Sequence, residues 1–176
     1  MHHEFGEFLL RKPEPDDVEA LYGWKNDAAV ASLLVGFTTG YTRADLLKWV
    51  DFHRSAADEA FFMIVRRADN RAIGHVALYQ INHRLQTGDF AILIGDRAAW
   101  GQGLGRTCTR WVCEYGFTQL NLRRITLGVL ATNERAFKLY RSLGFVEEGR
   151  LRQAQFKHGA YVDVILMALF REELTA

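Results

Sequence analysis

Two hydrophobic periodicities alternate along the chain, and together they predict a mixed α/β fold. Strands are predicted where apolar, β-branched and aromatic residues are concentrated between turn-forming residues, at residues 7–12, 61–67, 73–81, 90–94, 125–130, 145–151 and 162–170. Helices are predicted where apolar residues recur every three to four positions, at residues 15–24, 42–56, 104–115 and 133–143. The order β-α-α-β-β-β-α-β-α-β-β favours one domain over residues 1–176 with a single large sheet.

Turn and capping residues separate these elements. Residues 68–71 and 86–88 have turn chemistry, which predicts an antiparallel meander in the middle of the chain. Thr42 is placed to cap the second helix, and Gly144 follows the last helix at the position that glycine favours. We interpret the residues before the first strand as a frayed chain end. Exposed strand edges in such a sheet are compatible with a homodimer.

Composition and charge exclude several classes of protein. The chain has 176 residues, of which 49% are hydrophobic, and this suits one well-buried core. Lys and Arg number 22 against 21 Asp and Glu, so the net charge of +1 argues against non-specific binding to nucleic acid or to an anionic membrane. No signal peptide or membrane-spanning stretch is visible, so a cytoplasmic location is expected. Cys108 and Cys113 are expected to be buried and unpaired, and no metal-ligand spacing occurs.

A glycine-rich segment lies between a predicted strand and a predicted helix. Gly101, Gly103 and Gly105 cluster just before the apolar helical pattern begins. Such a loop can present several backbone N–H groups, and the helix start adds a partial positive charge, so the segment predicts an anion site. The spacing matches neither the P-loop nor the dinucleotide-binding fingerprint. A tight turn before a core helix remains an alternative interpretation.

A second group of polar residues follows the next predicted strand. Asn133 and Tyr140 are seven positions apart, so they share one face of a helix at a separation of two turns. Each residue also has an ordinary structural explanation, because Asn often caps helices and Tyr often packs in cores. Their joint occurrence downstream of the glycine loop favours a functional role.

These two motifs resemble those of the GNAT superfamily of N-acetyltransferases. The family's Arg/Gln-x-x-Gly-x-Gly/Ala motif corresponds to residues 100–105, and its Asn-x-x-Ala-x-x-Leu-Tyr-x-x-x-Gly-Phe motif is unbroken over residues 133–145. The chain departs from the family at Trp100, where many members carry Arg or Gln, and at residues 95–99, which lack the usual proline. The resemblance covers essentially the whole chain. It implies the α/β (α+β) class with a mostly antiparallel central sheet flanked by helices.

The resemblance also implies acetyl-CoA as the cosubstrate. In the family, amides of the glycine loop hold the pyrophosphate of CoA, the preceding strand pairs with the pantetheine arm, the Asn contacts pantetheine, and the Tyr protonates the departing thiolate. Carried onto this chain, the cofactor-binding residues are Gln102, Gly103, Leu104, Gly105 and Arg106 in the loop, Ile92, Leu93 and Ile94 in the strand, and Asn133. Tyr140 becomes the catalytic acid.

The base for the reaction has several candidates. A neutral amine must attack the thioester, so a protonated acceptor first loses a proton, and a backbone N–H at the end of the strand can stabilise the tetrahedral oxygen. We expect Asp89 to be catalytic, because relatives often carry an acidic residue at this strand start. His75, His83 and a chain of waters are alternatives.

The acceptor amine depends on the first two helices and the last strands, which build the acceptor pocket in this family. Aromatic and polar candidates in the first region are Tyr22, Trp24, Asn26, Phe37 and Tyr41, and cationic candidates in the last strands are Arg150, Arg152, Lys157 and His158. The last strands resemble the ribosomal-protein alanine and spermidine N-acetyltransferase branch, and also the amino-sugar-nucleotide acetyltransferases. No acidic cluster for a polyamine is evident, so the sequence favours a nucleotide-linked 4-amino sugar.

Two functions of other classes, a sensor and a nucleic-acid-binding module, are alternatives to an enzyme. The chain could bind acetyl-CoA as a non-catalytic sensor, although a sensor needs no acid for a leaving group, and Tyr140 is intact. A nucleic-acid-binding module is disfavoured by the charge balance and by the lack of a basic helix. The sequence therefore predicts an acetyl-CoA-dependent N-acetyltransferase, with a protein N-terminus or a small polyamine as alternative acceptors.

Overall fold

The computed structural model of the protein describes residues 3–36 and 40–175. Its strands are β1 (His3–Phe5), β2 (Phe8–Arg11), β3 (Ala60–Arg66), β4 (Arg71–Asn82), β5 (Thr87–Ile94), β6 (Arg124–Leu130), β7 (Val146–Lys157) and β8 (Ala160–Phe170). Its α-helices are α1 (Val18–Lys25), α2 (Ala28–Ala31), α3 (Arg43–Ser55), α4 (Leu104–Thr118) and α5 (Glu134–Ser142). Short 3-10 turns occupy Pro15–Asp17, Arg97–Ala99 and Arg171–Glu173.

The strands form one sheet with the order β1-β2-β3-β4-β5-β6-β8-β7. Among the described strands, β5 and β6 pair in parallel and all other neighbours pair antiparallel. Helices α1 and α3 pack on one face of the sheet, and α4 and α5 pack on the other. This arrangement confirms the expected fold class, a mostly antiparallel sheet flanked by helices.

The two faces of the sheet have separate cores because strand residues alternate in direction. On the α4–α5 face, the core includes Phe62, Val76 and Phe90 together with Val112 of α4. On the α1–α3 face, it includes Phe61, Ala77 and Leu93 together with other buried apolar residues.

The chain start differs from the expected frayed end. His3–Phe5 forms a short strand that pairs with β2, and the His3 ring stacks on Trp111 of α4 with centroids 4.5 Å apart. Three residues are too few for a recognisable alternation, so the sequence pattern missed this strand. Helix α2 has only four residues, so the sequence pattern does not predict it either. The Asp27 side chain caps this helix by accepting a hydrogen bond from Ala29 N–H.

Most other boundaries follow the expected pattern, but β7 continues to Lys157 and not to the expected residue 151, because residues 152–157 are largely polar and carry no apolar signal. Thr42 caps α3 and exchanges hydrogen bonds with Asp45 in a capping box. The turn predicted at residues 86–88 lies earlier, because Thr87 begins β5 and Gly88 is already paired in the sheet. Cys108 and Cys113 are both buried and neither forms a disulfide, as expected.

Candidate active site

The sheet opens between β5 and β6. These strands pair only at their first residues, where the last matched pair is Asp89 with Thr126. Beyond it, β5 continues to Ile94 alongside β4, and β6 continues to Leu130 alongside β8, but the two strands no longer pair with each other. A gap therefore lies between two strand edges whose backbone groups are not used in the sheet.

Hydrogen-bond alternation shows which β5 residues face this gap. In an antiparallel pair, residues bonded to the neighbouring strand alternate with residues whose backbone groups point the other way. Gly95 N–H donates to Ile73 O of β4 at 2.8 Å. Counting back along β5, the backbone of Leu93 points to β4, and the backbones of Ile92 and Ile94 point into the gap. The Leu93 side chain lies in the core of the α1–α3 face.

Trp100 bonds to one of the two β5 residues whose backbone groups point into the gap. Its indole Nε1–H donates to Ile94 O at 2.8 Å, so this carbonyl already has a partner. Ile92 is consequently the predicted residue whose N–H and C=O both remain directed at the gap. The departure from the family motif at Trp100 thus has a structural role, since the indole ties the glycine loop to the end of β5.

The glycine loop has the geometry of an anion site. Gly101 and Gly103 adopt left-handed φ angles of 86° and 78°, and a β-carbon at either position would meet nothing within 4 Å. Helix α4 starts directly after Gly103 with no described side chain capping it, and its first internal bond runs from Thr107 N–H to Gly103 O at 3.2 Å. Open space beside an uncapped helix start fits a phosphate group of acetyl-CoA.

The remaining loop residues support the helix start. Gln102 Nε2 donates to Ala98 O at 2.9 Å, so its side chain closes the loop on itself. Arg106 Nη1 donates to Ser142 Oγ at 2.7 Å and links α4 to α5. Leu104 is buried in the core, and Gly105 faces Leu139 of α5. The Gln102 side chain is therefore engaged within the loop, and we expect a phosphate to meet backbone N–H groups of the loop instead.

Asn133 caps α5 and reaches across the molecule. Its Oδ1 accepts from Ala136 N–H at 3.2 Å, and its Nδ2 donates to Leu33 O at 3.2 Å. The capping explanation therefore holds, and the second bond ties the start of α5 to the segment that follows α2. The amide retains a second N–H on Nδ2 and a second lone pair on Oδ1, so a further contact does not require the loss of the bond to Leu33.

Tyr140 lies on the α4–α5 face of the gap. It is 8% exposed, and its ring packs edge-to-face on Phe90 of β5 with centroids 6.0 Å apart. Burial, reinforced by nearby Cys113, raises the pKa of the Tyr140 hydroxyl above its ordinary value. The phenol therefore keeps its proton at neutral pH, which is the state that a general acid requires.

Asp89 lies at the same level of the gap on the opposite face. Its neighbour Phe90 points toward Tyr140, so the alternation of β5 directs Asp89 to the α1–α3 face. The carboxylate is exposed and accepts a hydrogen bond from Thr126 Oγ1 of β6. Asp89 and Tyr140 thus flank the point where β5 and β6 separate, one on each face.

The two histidine candidates lie in very different environments. His75 of β4 is buried, and neither ring nitrogen has a hydrogen-bond partner among the described residues. Burial, together with the charges of Lys25 and His53, holds the pKa of His75 well below its ordinary value. His83 is exposed just after β4 ends. Neither histidine lies at the point where β5 and β6 separate, whereas Asp89 does.

The acceptor candidates of the first helices are mostly structural. Trp24 is buried and packs flat on the backbone of Gly95. The Asn26 amide donates to Tyr22 O and Tyr41 O and accepts from Tyr41 N–H. Phe37 lies outside the described residues.

Two of the cationic candidates on the β7–β8 hairpin already have partners. Lys157 Nζ donates to Ala31 O at 3.3 Å and to Gly36 O at 2.7 Å. Arg150 lies 3.6 Å from an Asp163 carboxylate oxygen and 3.9 Å from one of Glu147. Arg152 and His158 are exposed. The hairpin therefore uses Lys157 to fasten the segment after α2, which weakens the case for a phosphate-binding patch.

The sequence did not identify the surface beside Asp89 on the α1–α3 face. Ala91 of β5 is exposed there, and its partner across the sheet is Ala77 of β4. The Trp49 ring lies against His75 of β4, with ring centroids 5.5 Å apart. The strand alternation could have revealed Ala91, but the position of Trp49 depends on how α3 packs. This surface is open to an acceptor.

Within residues 3–36 and 40–175, no helix is both long and apolar enough to cross a bilayer. In the same described part of the chain, no group of three or more His, Cys, Asp or Glu side chains is placed to hold a metal ion.

Comparison with known proteins identifies the family of this chain. The family model described as "Acetyltransferase (GNAT) domain" matches residues 7–146. Spermidine N(1)-acetyltransferase of Escherichia coli (strain K12) is 32% identical over 95% of this chain and 88% of its own length. The corresponding enzyme of Vibrio cholerae is also 32% identical, over 95% of each chain.

Solved structures give the same result. The crystal structure of the Vibrio cholerae spermidine N-acetyltransferase with CoA and spermine has a TM-score of 0.86, with 30% identity over 95% of this chain and 97% of that chain. A ribosomal-protein-S5-alanine acetyltransferase from Vibrio fischeri shares the fold with a TM-score of 0.82 at 23% identity, covering 100% of both chains. The chain therefore belongs to the GNAT acetyltransferase family, whose members transfer acetyl groups from acetyl-CoA, and it is an N-acetyltransferase.

Proposed function

We propose that acetyl transfer takes place in the gap between β5 and β6, with the acceptor amine approaching from the α1–α3 face. One observation carries this proposal: the two unpaired strand edges are flanked by Tyr140 on one face and by Asp89 on the other. Tyr140 gives its proton to the departing thiolate, and Asp89 takes up the proton that the acceptor ammonium loses. Holding both substrates in one gap supplies much of the rate through positioning.

The cofactor residues follow from the same geometry. We assign the pantetheine arm to Ile92 and to Asn133, and the pyrophosphate to the backbone of residues 102–106. Leu93 supports the site through its side chain, because its backbone is directed at β4. Residues 1–176 form a single acetyltransferase domain in this proposal, since β5 and β6 on either side of the gap belong to one sheet.

A small alkyl polyamine is the acceptor that we infer. Two relatives at 32% identity are named spermidine N(1)-acetyltransferases. On this chain, the exposed Asp89 carboxylate borders the open surface, and its negative charge attracts ammonium groups. The nucleotide-linked 4-amino sugar favoured by the sequence loses support, because Lys157 and Arg150 are engaged within the protein.

A thiol-release assay with acetyl-CoA tests this proposal. Spermidine, a UDP-linked 4-amino sugar and a peptide with N-terminal Ala are compared as acceptors. We expect kcat/KM for spermidine to exceed the other values by at least about tenfold. Faster release with the sugar or the peptide would overturn the polyamine assignment and leave the acetyltransferase assignment intact.

Two variants test the residue roles. Tyr140→Phe should lower kcat about 100-fold or more, while acetyl-CoA still raises the melting temperature. Asp89→Asn should weaken catalysis with spermidine, whereas the matched Asp51→Asn, on the exposed face of α3, should not. Undiminished turnover in Tyr140→Phe would refute the acid role. Thermal stabilisation by acetyl-CoA with no turnover of any amine would indicate a sensor.

A further inference from the structure

Lys25, the last residue of α1, has an unusual setting on the α1–α3 face. Its Nζ lies 4.3 Å from the centroid of the Trp49 ring and 5.4 Å from that of Tyr41. Among the described residues, no carboxylate lies within ion-pair distance of this ammonium. Aromatic faces, and not an opposite charge, therefore hold the group in place.

The groups packed around Lys25 leave its charge uncompensated. His75 from β4 is buried and neutral. On the far side of Trp49, the carboxylate of Glu59 is already bound by His53 of α3 at 2.5 Å. Burial lowers the pKa of Lys25 to about 8. At pH 7 roughly a tenth of such amines are uncharged, against about one in three thousand for an ordinary lysine.

The position of Lys25 relates it to the acetyl-transfer gap. It lies close enough to His75 for their charges to interact, and His75 pairs directly with Leu93 of β5. Leu93 is two residues from Ala91, which is exposed on the same face beside the gap. Lys25 is thus one strand away from the gap, on the face from which the acceptor approaches.

Other lysines lack this combination. Lys138 pairs with Glu134 at 3.3 Å, and Lys157 donates to two backbone carbonyls. Lys48 of α3 is exposed to water and sits one residue before Trp49. Lys48 is therefore a suitable internal reference, since it has ordinary solvation and belongs to the same region of the molecule.

We propose that Lys25 is a self-acetylation site, at which the protein transfers an acetyl group from acetyl-CoA to its own side chain. This inference rests on the acetyl-transfer site proposed above. The uncharged Nζ attacks the thioester carbonyl carbon, the new N–C bond forms and the C–S bond breaks. Nζ loses one proton to water, and the thiolate receives one proton from Tyr140, which is reprotonated from water. The products are acetyl-lysine and the CoA thiol, and no further reactant is needed.

The test is to incubate the full chain with acetyl-CoA in the absence of an acceptor. Peptide mass spectrometry then follows acetylation of Lys25 and of Lys48 with time. We expect Lys25 to react at least about tenfold faster than Lys48, at a rate per molecule that does not change with protein concentration. In Tyr140→Phe, the Lys25 rate should fall and the Lys48 rate should not change.

Several outcomes would overturn the proposal. Equal rates at Lys25 and Lys48, or a Lys25 rate insensitive to Tyr140→Phe, would mean only background chemistry. Lys25→Arg keeps a cation on the rings and should remove one acetyl group from the intact mass. Spermidine turnover in the same preparation separates the two proposals: turnover without Lys25 acetylation refutes self-acetylation alone, and the absence of both refutes the proposed function as well.

Discussion

At the scale of single residues, His75 illustrates how burial changes the chemistry of a side chain. The ring is tilted against Phe61 and Trp49, with centroids 5.0 Å and 5.5 Å away. Neither ring nitrogen finds a hydrogen-bond partner in the described part of the chain, although buried polar atoms usually have one. His75 is therefore held neutral, and its folded environment resists protonation.

This environment makes stability depend on pH. Because the pKa of His75 is lower in the folded state, the unfolded chain binds more protons once the pH falls below about 6.5. The free energy of unfolding should then decrease by up to about 1.4 kcal/mol per pH unit from this residue. His75→Leu should reduce this slope and leave stability at pH 7 unchanged or higher, since it removes two unsatisfied polar atoms.

Urea unfolding between pH 5 and pH 8 measures the effect. The matched control is His83→Leu at the exposed end of β4, which should keep the slope of the unaltered protein. An unchanged slope in His75→Leu would show that protonation of this buried ring does not govern acid stability.

At the scale of elements, much of the fold was predictable because capping and periodicity are local signals. Thr42 and Asn133 mark the starts of α3 and α5 in the structure as they do in the sequence. The separation of β5 from β6 was not predictable, because both segments are extended apolar strands whether or not they pair. The family resemblance predicts Asp89 and Tyr140 as candidates. Their placement on opposite faces of the sheet could not be predicted, because it depends on the register of the strands.

The junction of β5 with the glycine loop depends on one close approach. A β-carbon at Gly95 would lie 2.1 Å from ring carbons of the buried Trp24. We therefore expect Gly95→Ala to lower the free energy of unfolding by about 1–3 kcal/mol through overpacking. It should also weaken acetyl-CoA binding, because displacement of the junction moves the loop that follows it.

Thermal unfolding with and without acetyl-CoA checks this expectation. Gly23→Ala is a matched control, since Gly23 lies in α1 with nothing within 4 Å of a β-carbon. That change should stabilise the helix by about 0.5–1 kcal/mol. Equal melting temperatures for the two variants would argue against the steric explanation.

At the scale of the whole molecule, distant parts of the chain meet in the segment after α2. Leu33 O accepts from Asn133, and Gly36 accepts from Lys157 and donates its N–H to Gln155 Oε1 at 2.8 Å. These bonds connect the first helices to α5 and to the β7–β8 hairpin across 100 to 121 residues of sequence. Such contacts are invisible to local patterns, so the sequence alone presents Lys157 as a candidate ligand-binding cation.

Lys157→Met should release this segment. The two hydrogen bonds that are lost are together worth about 1 kcal/mol. Their loss should raise KM for the acceptor about threefold to tenfold, with little change in acetyl-CoA affinity. Hydrogen exchange at residues 32–36 should increase. Arg152→Met on the same hairpin is the control, since the Arg152 side chain is exposed. An equal effect on acetyl-CoA affinity would instead indicate a general disruption of the site.

The short parallel contact between β5 and β6 has a consequence for folding. Residues 3–94 supply every strand on one side of it, and residues 124–170 supply every strand on the other, with only three matched pairs along the join. The sheet therefore consists of two antiparallel halves, each continuous in sequence, that are joined along a narrow seam. In the proposed site, a pantetheine arm bonded to Ile92 lies along that seam in the place of a missing strand. Substrate binding and the cooperativity of folding are then two aspects of the same set of hydrogen bonds.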